Sequence, residues 1–444
     1  MANATRLLIK NGTLIDGSGG GPVPNRFLVV EGNRITLVGE TNGSMRPETS
    51  DDTVIDATGK FILPGLIDAH CHISLHQGAL PGMKYTSTAE FCTLWAAHAI
   101  GRVLRAGVTS IAVPGGKWFT DVTVREAVEG GLLEGPRMVV AGRALSNYGG
   151  IFDPDPYPAF EGTPADTAGV LCNTHDEFIR ETRKQCRRGV DLIKIADSTW
   201  GDVQTVADDE IGAVVDEAHR HNVKVTIHSR GSTSTRAAAK AGIDLIYHAD
   251  LATPADLDII AKAGMPLAPV LTSPWIGVEH GGAGRGLGDR VRDRLRAQLD
   301  TSFQMLRNAR DRGISVMSGS DTGNASAFSH GRWHGKEAEL LVKEVGMPPM
   351  EAIVANTSRN AWLMGLEGEV GVIASGKLAD IVIWNSDPLA DITCCSGRVR
   401  FRPSSRTVGS SIVRRAASAS CLASYPVPVR RYRARRADSS GAAS

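Results

Sequence analysis

Apolar residues fall into two rhythms along the chain. From Leu7 to Asp56 short runs are broken by turn residues. Leu7–Lys10, Phe27–Glu31, Arg34–Val38 and Thr53–Asp56 are separated by Asn11-Gly12, Gly17 to Gly21, and Gly32-Asn33. Short aliphatic and β-branched runs bounded by Gly and Asn read as strands and turns, so this stretch predicts a small all-β unit. Longer units then take over. Strand-like runs at Phe61–Asp68, Thr109–Val113, Arg137–Ala141, Leu192–Ala196, Lys224–His228, Leu245–His248, Pro266–Leu271 and Ser315–Ser318 alternate with segments of helical period. Among these helices are Thr88–Ala106, His175–Arg188, Asp209–His221 and Arg290–Arg312. A last apolar run, Lys377–Trp384, has the character of the N-terminal strands.

Strands alternating with helices in one series predict an α/β fold. Eight such units favour closure into a (β/α)8 TIM barrel over an open doubly wound sheet. The flanking β segments predict a small composite β domain from residues 1–60 and 365–393, built from both chain ends around a barrel of residues 61–364. Residues 394–444 lose all periodicity and hold eleven Arg, no Lys and one acidic residue, Asp438. The formal net charge of +1 therefore divides into a mildly acidic body and a basic tail. The Ser, Ala and Pro content of that tail favours an unstructured extension over a nucleic-acid-binding arm, so no nucleic-acid partner is expected. No apolar run reaches the ~18 residues of a membrane span, and Met1–Lys10 lacks a signal-peptide pattern. The seven Cys are odd in number and show no CxxC spacing, which fits a reducing cytoplasm better than a disulfide framework or zinc ribbon.

The strand ends carry the candidate chemistry. Strand 1 runs into His70-Cys71-His72. Residues two apart in a strand face one side, so both imidazoles are expected at the barrel mouth with Cys71 turned away. Lys194 sits between Ile193 and Ile195 in strand 4, His228 ends strand 5, His248 ends strand 6, and strand 8 leads to Asp321. Imidazole and carboxylate are the usual ligands of zinc and its neighbours. One histidine at a strand end is an ordinary polar residue at a loop junction. Four His, a Lys and an Asp at the C-terminal ends of one set of strands define a candidate metal centre. An ammonium in an apolar barrel is costly, and burial drives Lys194 toward the neutral amine. That amine can take up carbon dioxide as an anionic carbamate, or it can pair with a buried carboxylate. The remaining histidines, His330 and His334 included, are read as non-ligands.

At these residues the chain resembles the amidohydrolase superfamily, in particular its binuclear members with a carboxylated lysine. Phe61-Ile-Leu-Pro-Gly-Leu-Ile-Asp-Ala-His-Cys-His72 looks like the strand-1 signature and Gly319-Ser-Asp-Thr-Gly323 like the strand-8 signature. Residues 371–384 are similar to the stretch that returns the chain to the β domain. Within the superfamily the likeness is to the prolidase-like and imidazolonepropionase-like group. The resemblance implies two divalent metal ions, zinc first and manganese, cobalt or iron as alternatives. One would be held by His70, His72 and Asp321, the other by His228 and His248, with carboxylated Lys194 bridging. It implies hydrolysis of an amide-type C–N bond by a metal-bridging hydroxide, with Asp321 as the catalytic proton acceptor and donor, and a homo-oligomer. Three departures stand out: Arg230 where a His is usual two residues past His228, Ser146–Phe152 in place of a Gly-Gly-His type loop, and the Arg/Ser tail where further strands are usual. The last is what a reading-frame shift would produce.

Loops after the strands are rich in aromatics. Trp118, Phe119, Tyr148, Phe152, Tyr157, Phe160, Trp200, Trp275, Phe328 and Trp333 make ten of the 23 aromatic residues. Such a mouth favours an apolar or aromatic small molecule, although loop-on-loop packing is the alternative for each. Tyr148, Trp275, Trp333 and Arg230 are the candidate substrate-binding residues, and Arg230 could equally serve a structural salt bridge. The Pro-rich segment 153–158 is a candidate lid edge. The expected substrates are N-acyl amino acids, dipeptides, or aryl ureas, carbamates and anilides. Ester or lactone hydrolysis uses the same nucleophile. A deaminase would call for a Glu just past His228, where Ser229, Arg230 and Gly231 stand. A non-enzymatic scaffold would have lost metal ligands, whereas all six positions are filled.

Overall fold

The run Phe61–Asp68, continuous in its hydrophobicity, is two strands in two different sheets. In the computed structural model of the protein, which describes residues 6–41, 52–75, 88–153, 169–280, 288–324, 329–396 and 411–413, Phe61–Pro64 joins the terminal sheet and Leu66–Asp68 begins the α/β body. Gly65 is the joint. Its N–H donates to the Asp380 carbonyl at 2.8 Å, and a Cβ at this position would lie 2.1 Å from Thr109 Oγ1. Only glycine allows the strand to pass that close.

The terminal sheet has seven strands. Leu7–Leu14 is its centre, paired antiparallel with Val23–Glu31 and parallel with Thr53–Asp56 and Phe61–Pro64. Arg34–Glu40 extends one side and Ile381–Trp384 the other. The strand expected over Lys377–Trp384 is regular only from Ile381. Ser411–Val413 adds a further antiparallel ladder against Ile381–Ile383, so the tail expected to be unstructured contributes one short strand. An apolar edge offering unpaired N–H and C=O groups accepts such an addition from a segment reading Ser-Ile-Val. The other residues of 397–444 lie outside the described residues, as do Tyr157, Phe160, Phe328, His76 and the Pro-rich segment from Pro154 onward.

The α/β body contains two parallel sheets. Leu66–Asp68, Val108–Val113 and Arg137–Val140 form one. Ala144–Ser146, Gly169–Leu171, Leu192–Ala196, Lys224–Ser229, Leu245–His248 and Leu267–Ala268 form the other. Backbone hydrogen bonds continue between them: Asp191 N–H donates to Val140 O at 2.8 Å. Beyond Leu267–Ala268 the run expected as strand 8 makes a single parallel bridge, Leu267 to Val316. Met317 N–H donates to Leu267 O at 2.7 Å, and Ala69 N–H donates to Ser318 O at 2.9 Å. The result is TIM-barrel-like.

Side-chain alternation sorts the core into layers. Ile111, Val113, Val140, Ile193, Ile195, Val225, Ile227 and Ile246 pack toward the helices. Ala112, Val139, Ala141, Leu192, Leu245, Tyr247, Ala268 and Met317 pack together on the opposite face, closed by Ala361, Leu363 and Met364. Alternation therefore sets Lys194 on the same face as Leu192. The predicted helices appear within a residue of their expected ends, as Ala89–Arg105, His175–Arg187, Asp208–Arg220 and Asp289–Asp311. Thr88 and Thr174 cap two of them through their side chains. Among the described residues no helix is long and apolar enough to cross a membrane.

Candidate metal centre

Regular strand structure ends at Asp68, so His70 and His72 are not brought together by strand alternation. They meet because the chain bends over the Asp68 carboxylate, which accepts the His70 N–H at 3.0 Å. The Nε2 atoms of the two rings lie 3.1 Å apart. Asp321 Oδ1 is 3.5 Å from His70 Nε2 and 3.2 Å from His72 Nε2. The His72 ring is held from behind, its Nδ1 2.8 Å from the Gly115 carbonyl. Cys71 does turn from the two imidazoles, but into the protein: it is fully buried, and its sulfur lies within 4.8 Å of ligand atoms of Asp68 and His334.

His228 and His248 complete the cluster, with ring centroids 4.4 Å apart and His248 5.8 Å from His70. His228 faces inward by alternation. His248 follows the inward Tyr247 and would face the helices in a regular strand. Its left-handed backbone, φ 76°, breaks the alternation at this residue. Asp321 is likewise left-handed at φ 56°. For side chains other than Gly such conformations cost about 1–3 kcal/mol each and collect at functional sites.

Lys194 is buried with its Nζ 4.0 Å from the Tyr247 ring centroid and no hydrogen-bond partner among the described residues. Burial pushes its amine well below the ordinary value; the Asp321 charge opposes this shift and Arg230 adds to it. Burial also lowers His70, His228 and His248 well below the usual imidazole value, helped by the neighbouring cations. For Asp321 burial acts upward, but hydrogen bonds from His72 and Ser273, with the charges of His72 and Lys194, outweigh it and hold the carboxyl below its ordinary value. The cluster thus gathers four imidazoles and a buried amine beside one carboxylate.

That donor set fits divalent cations. The three ligand atoms of His70, His72 and Asp321 lie within 4.8 Å of one another. Nδ1 of His70 and of His248 and Nζ of Lys194 are buried without a hydrogen-bond partner among the described residues, an arrangement costly in a folded protein unless the site binds something.

The predicted substrate residues have different fates. Arg230 forms an ion pair with the buried Asp250, which also accepts from Gln298 at 3.1 Å and Ser302 at 2.8 Å. Trp275 and Trp333 pack on each other at 5.6 Å, and Trp333 is buried. Tyr148 is exposed. Two residues read as non-ligands brace the site: His330 Nε2 lies 2.7 Å from the His72 carbonyl, and His334 Nδ1 lies 2.7 Å from Asp68 Oδ2. Their separation from the strand ends in sequence hid this role. The one available signal was His330, His334 and Glu337 at helix-like spacing beside an apolar run.

Polar groups gathered at one end of a barrel-like parallel sheet occupy the position where α/β barrel enzymes carry their active sites. The chain belongs to the amidohydrolase family, matched over residues 61–400. It is similar to an ochratoxinase from Aspergillus niger, 27% identical over 87% of this chain and 82% of the relative. It is also similar to an imidazolonepropionase from Rhizobium meliloti, 24% identical over 86% of this chain and 90% of the relative. A crystal structure of a Xaa-Pro dipeptidase superposes with a TM-score of 0.77 at 26% identity, covering 88% of this chain and 97% of that one. The protein is accordingly a metal-dependent hydrolase acting on amide-type C–N bonds.

Proposed function

We propose that the protein is a binuclear amidase of a closed (β/α)8 barrel, hydrolysing N-acyl amino acids, dipeptides or aryl-substituted amides and ureas. The observation that carries this reading is the convergence of His70, His72 and Asp321 beside a buried, unpartnered Lys194. Closure of the barrel is supported by the hydrogen bonds linking Leu267 to Met317 and Ser318 to Ala69. The domain division then falls at Gly65 rather than residue 60, with the terminal sheet as a separate small β domain.

His70, His72 and Asp321 would hold one cation and His228 and His248 the second, zinc being the first choice for this donor set. A neutral Lys194 amine is the form that adds carbon dioxide, losing one proton to give a carbamate whose oxygens could serve both sites. When bound, such cations supply a water acidic enough to ionise near neutral pH and a Lewis acid for the substrate carbonyl. Asp321, kept ionised, accepts the proton of the attacking water and returns it to the leaving nitrogen. Gly115 orients the His72 ring through its carbonyl. Arg230, tied to Asp250, adds positive potential beside His228 and His248.

The name Xaa-Pro dipeptidase points to an amide bond to a cyclic residue, which agrees with an exposed Tyr148 and the Trp275–Trp333 pair. A hydrolysis screen with added zinc or manganese tests the reading, using N-acyl amino acids, dipeptides and phenylureas. Turnover of an amide-type substrate that stops on chelation is expected. Turnover of esters alone, or activity indifferent to chelation, would contradict it.

A further inference from the structure

Behind the candidate ligands lies a second buried cluster. Both oxygens of Asp68 are engaged: Oδ1 accepts the backbone N–H groups of His70 and Ser320 at 3.0 Å each, and Oδ2 accepts the Ser320 hydroxyl at 2.5 Å and His334 Nδ1 at 2.7 Å. One carboxylate therefore ties the segment carrying His70 and His72 to the segment carrying Asp321. The tie is direct, since Asp321 N–H also donates to the His70 carbonyl at 2.7 Å. His330 holds the same unit from the other side through the His72 carbonyl. Gly323 is packed so closely there that a Cβ would lie 1.8 Å from the His72 oxygen and 2.4 Å from His330 Nε2. Three residues past His334, the buried Glu337 accepts Leu271 N–H and Thr272 N–H at 2.8 Å each and the Thr272 hydroxyl at 2.7 Å. It thereby fixes the start of the helix Thr272–His280, whose Ser273 hydrogen-bonds Asp321.

We propose that Asp68 and His334 are positioning residues that fix His70 and His72 relative to Asp321 and so set the affinity of the site for divalent metal. The inference rests on the metal-centre reading above. Asp68, Cys71 and His334 could be taken as a ligand set of their own. Asp68, however, already accepts four hydrogen bonds, which leaves it little capacity as a ligand. His334 spends Nδ1 on that carboxylate and keeps a buried Nε2 with no hydrogen-bond partner among the described residues, so counting the bound metal distinguishes a positioning role from a ligand role. A saturated carboxylate with a donor on each partner is an anchor, and the groups it anchors are the backbone on both sides of the candidate ligands.

The test compares zinc affinity, by competition with a chromophoric chelator, in the wild type, His334→Leu and His334→Asn. The visible spectrum of the cobalt-loaded proteins and thermal unfolding of the metal-free proteins are recorded alongside. Outer partners of metal ligands typically account for about 10–100-fold in affinity. His334→Leu is expected to bind the same number of ions more weakly by a factor in that range, with a shifted cobalt spectrum. Asn, whose side-chain N–H₂ can replace Nδ1, is expected to recover most of the loss. Should His334→Leu not fold, Asp68→Asn carries the same expectation. Unchanged affinity in these variants overturns the proposal while leaving the metal centre standing. Loss of one whole ion with the rest bound normally also overturns it, because His334 would then be a ligand. A wild type that binds no metal overturns both.

Discussion

Replacing Lys194 by Met separates the stability of the protein from its function. Lys194 is buried with no hydrogen-bond partner among the described residues, and burial holds its amine well below the ordinary 10.5. Below pH 10.5 the unfolded chain carries this proton, whereas burial disfavours it in the metal-free folded protein. The unfolded state therefore binds more protons, and stability is lost as pH falls below 10.5. Each pH unit by which the folded-state value lies below the unfolded one is worth about 1.4 kcal/mol of lost stability. Met has a similar shape and no charge to desolvate, and it packs against Tyr247 without a polar atom. Denaturant unfolding of the chelator-treated wild type and Lys194→Met, at several values between pH 7 and 10, reads the difference. The variant is expected to be the more stable, by a margin that grows as pH falls and vanishes near pH 10.5, while hydrolysis is abolished. A variant less stable than the wild type, or a margin independent of pH, would refute the claim that a neutral, unpaired amine sits in this site.

Other substitutions probe other parts of the account. Asp321→Asn removes the proton acceptor and is expected to lower kcat by about 10²–10⁴-fold with a smaller effect on KM; full activity in steady-state assays would contradict that role. Arg230→Ala leaves Asp250 buried and only partly satisfied, which is expected to cost about 3 kcal/mol in thermal unfolding. An unchanged melting temperature with a raised KM would instead assign Arg230 to substrate. Gly65→Ala drives a Cβ against Thr109 at 2.1 Å and is expected to destabilise by about 1–3 kcal/mol, read by calorimetry, and unaltered stability would show that the two sheets are not joined so tightly.

Much of this architecture is legible in the sequence, because a parallel strand buried on both faces leaves an apolar run that little else produces. The placement of Lys194 follows from the same alternation. What was not legible involves breaks in local rules. The split at Gly65 is invisible because both halves are apolar and the glycine is demanded by Thr109, a residue far along the chain. The approach of His70 to His72 was expected for the wrong reason, since the chain leaves strand geometry at Asp68 and an Asp side chain, not the pleat, sets the turn. His248 joins the cluster only through a left-handed backbone that its own residue type does not announce. Asp68, His334 and Glu337 act on loops more than sixty residues away in sequence, and no local pattern encodes such a contact.

The central claim is that six side chains between His70 and Asp321 form one centre for divalent metal. Elemental analysis of the purified protein, before and after chelation, with hydrolysis assayed on the same samples, tests it most directly. The account predicts about two ions per chain, as in two-metal hydrolytic sites, with activity lost on chelation and restored by zinc or manganese. A folded protein that holds no metal and hydrolyses its substrate at full rate after chelation would contradict it.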